Sequence, residues 1–225
     1  MNKLIVEQDF PVTLVGGGAL DPDDLAVARS VAPVVVAADG GANTALKHGV
    51  TPDFVIGDLD SISAGTQAEL GAARLLHVPE QDTTDFDKAL RAVSVPLVLA
   101  VGFLGARIDH QLAALNVLMQ PHPSPCILVG EHEILFHLRH PVSVPTDEGD
   151  VVSLFPMRTV TGVSDGLQWP IQGLTLDPMH QIGTSNRAVG PCSLRSDGPG
   201  LIVILPKKHL LAVVDTFIRR PEPEA

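Results

Sequence analysis

The chain has 225 residues and a formal net charge of −11 at neutral pH. A chain of this length forms one large domain or two small ones, and a hydrophobic fraction of 45% provides a sizeable core. The acidic balance argues against binding to nucleic acid, whose phosphates require a basic face, and gives no attraction to an anionic membrane surface.

The cysteine content and the first residues indicate where the protein resides. Cys126 and Cys192 are too few for a disulfide scaffold and too far apart for a zinc motif. The segment 1–7 turns acidic too soon for a signal peptide, and no apolar run approaches the roughly 20 residues that span a bilayer. We therefore expect a cytoplasmic protein without a membrane-spanning segment.

The first half of the chain alternates short apolar runs with helical patterns. The predicted strands are 11–15, 34–38, 54–56, 74–78 and 97–101, and the predicted helices are 22–31, 43–48, 63–71, 85–93 and 109–119. Asp21 is expected to cap the first helix, with Pro22 at its first position. This order predicts an α/β domain over 1–125, with a three-layer, Rossmann-like arrangement around a parallel sheet.

The second half has a different pattern. The proline-rich segment 121–125 is typical of a linker, although the apolar run 126–129 could still belong to the first sheet. Apolar runs at 134–138, 150–155 and 201–205 are separated by glycine, proline and aspartate turns, which predicts an all-β sandwich or barrel over 126–225. The segment 209–220 fits either a strand or a helix, and the tail 221–225 is predicted to be disordered.

Aspartates are concentrated where the predicted strands of the first half end. They are Asp39, Asp58, Asp60, Asp82, Asp85 and Asp109. Ligands of parallel sheets gather beyond the carboxyl ends of the strands, and crowded carboxylates repel one another unless a cation lies between them. Hard oxygen ligands suit Mg²⁺, which usually also holds substrate phosphates. The pattern therefore predicts an enzyme that handles a magnesium-bound polyphosphate.

Two of these motifs each allow a simpler explanation. Asp58 and Asp60 stand at i and i+2 after a strand, so that both carboxylates can meet one metal, but a solvated turn would also accommodate them. The segment 81–85 precedes a predicted helix, where Thr84 or Asp85 could serve only as the cap. The same helix N-terminus would also offer backbone donors to a phosphate.

Other segments contribute weaker signals. In 102–110, glycines allow close approach to a ligand and Arg107 can clamp phosphate oxygens, although an Arg107–Asp109 surface pair is the alternative. The run 16–18 lacks the full dinucleotide pattern and is at most a phosphate-approach loop. Turn chemistry alone favours a turn at 183–186. Trp169 fits a core residue or a platform for a flat cationic ring.

Taken in order, these motifs resemble those of the thiamine pyrophosphokinase family. The matching segments are 39–43, 57–61, 82–85, 105–110, 169–170 and 183–186, and their order and spacing run from about residue 12 to residue 205. The resemblance implies an α/β domain that binds ATP, followed by a β-sandwich. It also implies a homodimer with an active site shared between subunits, and transfer of the β,γ-pyrophosphoryl group of ATP to the hydroxyethyl oxygen of thiamine, releasing AMP.

The resemblance also implies roles for individual residues. The catalytic set is Asp58, Asp60, Asp85, Arg107 and Asp109, and Mg²⁺ is held by Asp58, Asp60 and Asp85. Contacts to ATP are implied for Asp39, Gly40, Gln81, Asp82, Thr84, Arg107 and Asp109. Contacts to thiamine are implied for Trp169, Thr184, Ser185 and Asn186. Two positions depart from the family pattern, since Trp169 stands where tyrosine is frequent and Arg187 where an acidic residue is frequent.

Three other functions compete with this interpretation. A phosphatase of the haloacid dehalogenase type would use Asp58 as a covalent nucleophile, but that class places the motif after its first strand, not its third. A non-catalytic nucleotide or thiamine sensor would not need the full carboxylate set. A pyrophosphokinase for another small alcohol, such as a hydroxymethyl pterin, would share the first half and differ around Trp169 and 184–187.

Overall fold

The computed structural model of the protein describes residues 6–219, a mixed α/β fold. The chain divides into two compact units, with the boundary between Glu131 and His132. The predicted disordered tail, 221–225, lies outside the described residues, as do residues 1–5 of the N-terminal segment. Over the described range, the helices are too short or too polar to cross a bilayer.

The first unit is built on parallel strands that alternate with helices. Its strands are β1 (Val6–Glu7), β2 (Val12–Val15), β3 (Val34–Ala38), β4 (Phe54–Gly57), β5 (Leu75–His77), β6 (Val93–Ser94), β7 (Val98–Val101) and β8 (Cys126–Val129). Its helices are α1 (Pro22–Val31), α2 (Gly41–Lys47), α3 (Ala64–Leu70), α4 (Asp85–Ala92) and α5 (Ile108–Leu118). The strands pair in the orders β2–β7–β8, β3–β4–β5 and β1–β6, and every pair is parallel.

The predicted elements of the first unit are present, with small differences at their ends. Asp21 caps α1, as predicted, by accepting a hydrogen bond from the Asp23 N–H at 2.9 Å. Helix α2 begins at Gly41, two residues before the predicted start, and the β1–β6 pair was not predicted. Strand β8 pairs with β7 and lies before the boundary between the units, whereas the predicted division placed it in the second domain.

The core of the first unit explains why its strands carry continuous apolar runs. Every residue of β2, β7 and β8 is buried, as expected for parallel strands that are covered on both faces. Around β3 and β4, side chains of the strands and of the neighbouring helices and loop form one buried cluster. This cluster comprises Ala37, Ala42, Val55, Ile62 and Leu70. The carboxyl ends of β2, β3, β4, β5 and β7 thus share one edge region, where the loops that carry the aspartates begin.

The second unit is antiparallel β structure with one helix. Its elements are β9 (Glu133–His137), β10 (Val142–Val144), β11 (Val151–Pro156), β12 (Gly162–Leu167), β13 (Gly183–Ser196), β14 (Leu201–Pro206) and α6 (Leu210–Ile218). The strand order is β10–β13–β11–β14–β9, and β12 also pairs with β13. The 14-residue β13 bonds to β11 through its first residues and to β10 and β12 through its later ones.

Two segments of the second unit differ from simple sequence expectations. The run 183–186, where turn chemistry favours a turn, forms the start of β13, because ladder pairing with β11 overrides local propensity. The segment 209–220, which fitted a strand or a helix, contains α6. Helix α6 packs against β10, and its Phe217 ring meets Phe136 edge-on with ring centroids 5.4 Å apart.

An ion network ties the segment before β11 to the segment after β14. Asp150 lies 2.8 Å from Lys208 Nζ and 2.7 Å from His209 Nε2, and Lys208 Nζ also lies 2.7 Å from Asp147. Burial alone would raise the pKa of Asp150, but Lys208, the Asp147 N–H and His209 lower it to about 2. Since this pKa lies below the unfolded value, the stability that Asp150 contributes is present at neutral pH and is lost in acid.

We expect Asp150→Asn to lower the free energy of unfolding by about 1–2 kcal/mol at neutral pH, because the amide keeps the shape but loses the charge. The deficit should shrink as the pH falls below about 4 toward about 2, where wild-type Asp150 is itself protonated. Urea unfolding of the wild type and of Asp150→Asn across this pH range measures the deficit. Asp147→Asn is the matched control: Asp147 is 74% exposed, so its loss should cost little. A deficit independent of pH would contradict the electrostatic explanation.

Candidate active site

Three carboxylates meet at the carboxyl ends of β3 and β4. One oxygen from each of Asp39, Asp58 and Asp60 lies within 4.8 Å of the others, and we call these residues the acidic trio. Asp39 follows β3 and is only 2% exposed, whereas Asp60 is exposed. The sequence analysis assigned Asp39 to ATP and grouped Asp58 and Asp60 with Asp85. In the structure Asp85 is adjacent to the trio but not among its three members.

Asp39 is the most constrained member of the acidic trio. Its Oδ2 accepts a hydrogen bond from the Ser61 N–H at 3.1 Å, while its Oδ1 is buried without a hydrogen-bond donor among residues 6–219. Burial raises the pKa of Asp39, and the nearby charge of Asp85 adds to this effect although Ser61 opposes it. A buried carboxylate oxygen without a donor is a position that a cation or a proton would satisfy.

The backbone adopts an unusual conformation at two positions in the loops that carry the acidic trio. Asp39 has a φ of 40° and Leu59 a φ of 64°, which is the left-handed region that non-glycine residues seldom adopt. Gly57, the last residue of β4, leaves room for the neighbouring side chains: a Cβ at this position would lie 2.7 Å from the Asp39 Cβ and 3.1 Å from Asp85 Oδ1. The absence of a side chain at Gly57 therefore allows the carboxylates of two strands and of α4 to come together.

Lys88 is the functional candidate that sequence reasoning missed. Its side chain is 2% exposed, and its Nζ donates to Asp85 Oδ1 at 2.9 Å and to Asp58 Oδ2 at 3.2 Å. Burial would lower the pKa of Lys88, but the bonds to both carboxylates outweigh it and hold the pKa above its ordinary value. Lys88 thus supplies a permanent positive charge between the acidic trio and α4. The available signal was its i+3 spacing from Asp85.

Asp58 is held by three groups. Burial alone would raise its pKa, but Lys88, the Asp60 N–H and the Gln81 side chain together keep the pKa below the ordinary value, so that the carboxylate stays ionised. Gln81 Nε2 donates to Asp58 Oδ2 at 3.0 Å. Gln81 lies in the loop between β5 and α4, and Thr84 ends that loop by capping α4 through the Asp87 N–H at 3.2 Å.

A cleft of about 660 Å³ opens beside the acidic trio. It is lined by residues from several strand ends, among them Gly17, Asp39, Gly40, Thr84, Asp85, Gly102 and Arg107. The glycine backbones come close together: a Cβ at Gly18 would lie 2.7 Å from the Gly102 carbonyl oxygen. Phe86 and Phe103, neither singled out from the sequence, also line the cleft, with ring centroids 4.3 Å apart. This cleft can admit a ligand along exposed backbone.

The remaining residues predicted for ATP are divided between this cleft and a second cavity. Arg107 and Asp109 form a two-point pair, with Nε to Oδ1 at 3.1 Å and Nη2 to Oδ2 at 2.5 Å. Both side chains are exposed, at 70% and 63%. Arg107 lines the cleft, whereas Asp82 lines a separate cavity together with Gln81 and Thr84. The guanidinium of Arg107 is therefore solvent-accessible and free to exchange Asp109 for another anion.

The residues predicted for thiamine lie in the second unit. Trp169 is 55% exposed, and Asn186 fixes its backbone: the Trp169 N–H donates to Asn186 Oδ1 at 3.2 Å, and Asn186 Nδ2 donates to the Trp169 carbonyl at 2.6 Å. The side chain of Asn186 is thus used to present Trp169. Ser185 has a φ of 61°, and both it and Thr184 are exposed on β13. Arg187 donates to the Gly149 carbonyl at 3.1 Å.

The acidic trio has the donor chemistry of a divalent cation site. All three ligand atoms are carboxylate oxygens, which hard cations prefer, and within the described part of the chain the buried Asp39 Oδ1 has no donor. Lys88 offsets part of the negative charge but leaves at least one oxygen of each carboxylate available. The residues present therefore fit a divalent cation.

Comparison of the sequence with known proteins finds several thiamine pyrophosphokinases. Residues 27–129 match the family model described as the thiamin pyrophosphokinase catalytic domain. The chain is 29% identical to thiamine pyrophosphokinase 1 of Arabidopsis thaliana, an alignment that covers 79% of this chain and 80% of the relative. It is 27% identical to thiamin pyrophosphokinase 1 of Caenorhabditis elegans, over 67% of this chain and 70% of that one.

Solved structures show the same fold. Thiamin pyrophosphokinase from Candida albicans superposes with a TM-score of 0.75 at 15% identity, covering 92% of this chain and 96% of that chain. The Bacillus subtilis enzyme gives a TM-score of 0.71 at 19% identity, covering 87% and 98%. The chain therefore shares the fold of solved thiamin pyrophosphokinases, and its residues 27–129 are similar to the catalytic domain of that family.

Proposed function

We propose that this protein transfers the pyrophosphoryl group of ATP to the hydroxyethyl oxygen of thiamine, giving thiamine diphosphate and AMP. The observation that carries the proposal is the acidic trio beside a glycine-walled cleft, in a chain whose residues 27–129 match the catalytic domain of this family. A phosphatase that uses Asp58 as a nucleophile is not favoured, because Asp58 follows β4 rather than the first strand and the matched family model is a thiamin pyrophosphokinase domain.

We assign the divalent cation as Mg²⁺. Asp58 and Asp60 belong both to the predicted ligand set and to the acidic trio, which Asp39 completes, and Asp85 lies close to Asp39. When bound, the cation would neutralise phosphate charge and so reduce the repulsion between the triphosphate and the incoming oxygen. The protein would contribute positioning, which is most of what transfer of this type requires.

The residues of the cleft would hold ATP. Gly17 and Gly40 line the cleft with exposed and partly exposed backbone, so that a polyphosphate can approach them closely. Arg107, now paired with Asp109, would exchange that partner for phosphate oxygens, which its planar fork of donors suits. Thr84 and Asp85 line the same cleft at the start of α4, while Gln81 and Asp82, also predicted to contact ATP, lie in the preceding loop and line the second cavity.

The second unit would receive thiamine. The exposed Trp169 ring can stack on a cationic heterocycle, and Thr184 and Ser185 present hydroxyl groups on β13. Asn186 would act indirectly, by fixing the Trp169 backbone. Holding Arg187 against the Gly149 carbonyl directs its positive charge to the backbone rather than leaving it as a free cation beside thiamine.

We also propose that the protein works as a homodimer. In addition to the family resemblance, the second unit exposes several large apolar side chains, including Met179 at 83% and Val189 at 58%. Large apolar side chains that are exposed in a single chain can be covered where two subunits meet. Sedimentation equilibrium measures the mass directly, and a species of one chain across the working concentration range would contradict this part of the proposal.

The reaction is tested by measuring AMP release from ATP and Mg²⁺ with thiamine, without an acceptor, and with a hydroxymethyl pterin. Thiamine-dependent AMP, with thiamine diphosphate as the co-product, is the expected result. AMP that depends only on the pterin would reassign the acceptor. Phosphate release with a trapped phosphoaspartate at Asp58 would point instead to the phosphatase.

Replacing Trp169 by alanine is expected to raise the KM for thiamine about 2–30-fold, the range that the loss of one cation–π contact predicts, and to change the KM for ATP much less. Steady-state kinetics with each substrate varied in turn measures both constants. Leu211→Ala removes a similarly exposed apolar side chain from α6 and should leave both values unchanged. An equal rise in both constants for Trp169→Ala would contradict a stacking role.

A further inference from the structure

The loop between β5 and α4 carries residues assigned to ATP, and its position is set by contacts outside the cleft. We call residues 80–84 the 80–84 loop. Within it, Gln81 donates to Asp58 and Thr84 caps α4. Gln81 is itself exposed, so little packing holds it in place. Contacts made by neighbouring residues of the loop must therefore keep the Gln81 amide within hydrogen-bond distance of Asp58.

Arg91, in the last turn of α4, forms hydrogen bonds to this loop at two residues. Its Nη2 donates to Glu80 Oε1 at 2.5 Å and to Thr83 Oγ1 at 2.8 Å, and Thr83 Oγ1 donates in turn to Glu80 at 2.6 Å. Glu80 and Thr83 stand on either side of Gln81 along the chain. The guanidinium therefore fixes both ends of the short segment from which Gln81 reaches Asp58.

The other side of Arg91 forms an ion pair within α4, although its Nε makes no hydrogen bond of good geometry among the described residues. Its Nε lies 2.8 Å from Asp87 Oδ2, one turn earlier on α4, and Asp87 Oδ1 lies 2.8 Å from His122 Nε2. The His122 side chain is only 3% exposed. Arg91 and Glu80 keep 27% and 32% exposure, so their pair alone would contribute modestly to stability. The network is better placed to set the geometry of the loop than to stabilise the fold.

We propose that Arg91 is a positioning residue for the acidic trio, acting through the 80–84 loop and Gln81 on the Asp58 carboxylate. The inference rests on the proposed function, since it assumes that the trio binds a divalent cation. Hydrogen-bond partners that orient a metal ligand often change metal affinity 10–100-fold when removed. Arg91 acts one contact further away, so its loss should have an effect no larger than that of losing Gln81.

The test is a double-mutant cycle read out by the binding of Mn²⁺ alone, without ATP or thiamine, from the electron paramagnetic resonance signal of the free ion. Arg91→Met and Gln81→Ala should each weaken Mn²⁺ binding, by about 3–10-fold and about 10-fold. The double variant should bind no more weakly than Gln81→Ala, because both changes break the same chain of contacts. Arg91→Lys, which keeps the charge but not the planar fork, should lie between wild type and Arg91→Met.

A matched control separates positioning from stability. Arg74→Met removes another partly buried arginine of the first unit, whose Nη1 donates to the Pro52 carbonyl at 2.7 Å, and should affect thermal unfolding but not Mn²⁺ binding. Unchanged Mn²⁺ binding in Arg91→Met, additive losses in the double variant, or no Mn²⁺ binding by the wild type would each overturn the proposal. Because no substrate is present, absence of thiamine-dependent AMP would count against the proposed reaction and not against Arg91.

Discussion

Replacing Asp60 by asparagine is expected to lower kcat for pyrophosphoryl transfer about 10³-fold while leaving the fold intact. Asp60 is exposed, and its carboxylate Oδ1 accepts a hydrogen bond from the Ser61 hydroxyl at 2.8 Å, which the amide oxygen of asparagine can also accept. What the substitution removes is one negative charge of the acidic trio. Loss of several kcal/mol of transition-state stabilisation corresponds to a rate change of this size.

The comparison for Asp60→Asn is made with Glu69→Gln, which removes the same charge from an exposed position on α3 of the same unit. Glu69→Gln should retain full activity. Thermal unfolding of Asp60→Asn should resemble that of wild type. A variant that unfolds early would show that Asp60 is structural, and a variant with nearly full activity would remove Asp60 from the proposed metal site.

The architecture of the first unit could be predicted because its signals are local. Continuous apolar runs such as β3 and β7 specify buried parallel strands, and Asp21 with Pro22 specifies the start of α1. The position of the aspartates followed from a general rule, that loops after parallel strands gather at one edge. The element order was therefore sufficient to bring Asp39 and Asp58 to the same region.

The details of the site depend on contacts that a linear pattern does not contain. A lysine on a short helix is ordinarily exposed, and Lys88 is buried only because Asp58, thirty positions earlier, and Asp85 both face it. Asp39 joins the trio because its left-handed backbone turns the side chain toward Ser61 and because Gly57 leaves room. Neither the turn nor the space can be deduced from residue types alone.

The second unit was harder to predict for a related reason. The first residues of β13 are small and polar, and they form a strand only because β11 supplies a ladder partner. Asn186 is a polar residue that was predicted to contact a ligand, yet its side chain forms hydrogen bonds to the Trp169 backbone. In both cases a non-local partner decides the role of a residue whose local signal points elsewhere.

Replacing Lys88 by methionine is expected to lower the free energy of unfolding by about 2 kcal/mol in the absence of divalent cations. Methionine fills much of the same volume, but Asp58 and Asp85 lose the ammonium group that both contact. Their negative charges are then repelled by Asp39 and Asp60, which lie close by. Removing one partner of a fully buried pair costs about 3–5 kcal/mol. The smaller value applies here because Asp58 is 12% and Asp85 33% exposed, so solvent reduces the repulsion.

Divalent cations should restore more stability to Lys88→Met than they add to the wild type. Without the lysine, the carboxylates around the trio carry uncompensated charge, and a bound cation both neutralises it and stabilises the folded state by binding. The rise in Tm on addition of Mg²⁺ should therefore be larger for Lys88→Met than for wild type. Lys47→Met, on the exposed side of α2, should show the wild-type response. Asp58 contacts Lys88 and also belongs to the proposed cation site, so the two positive charges should influence each other. Equal Mg²⁺ responses in all three proteins would contradict this coupling.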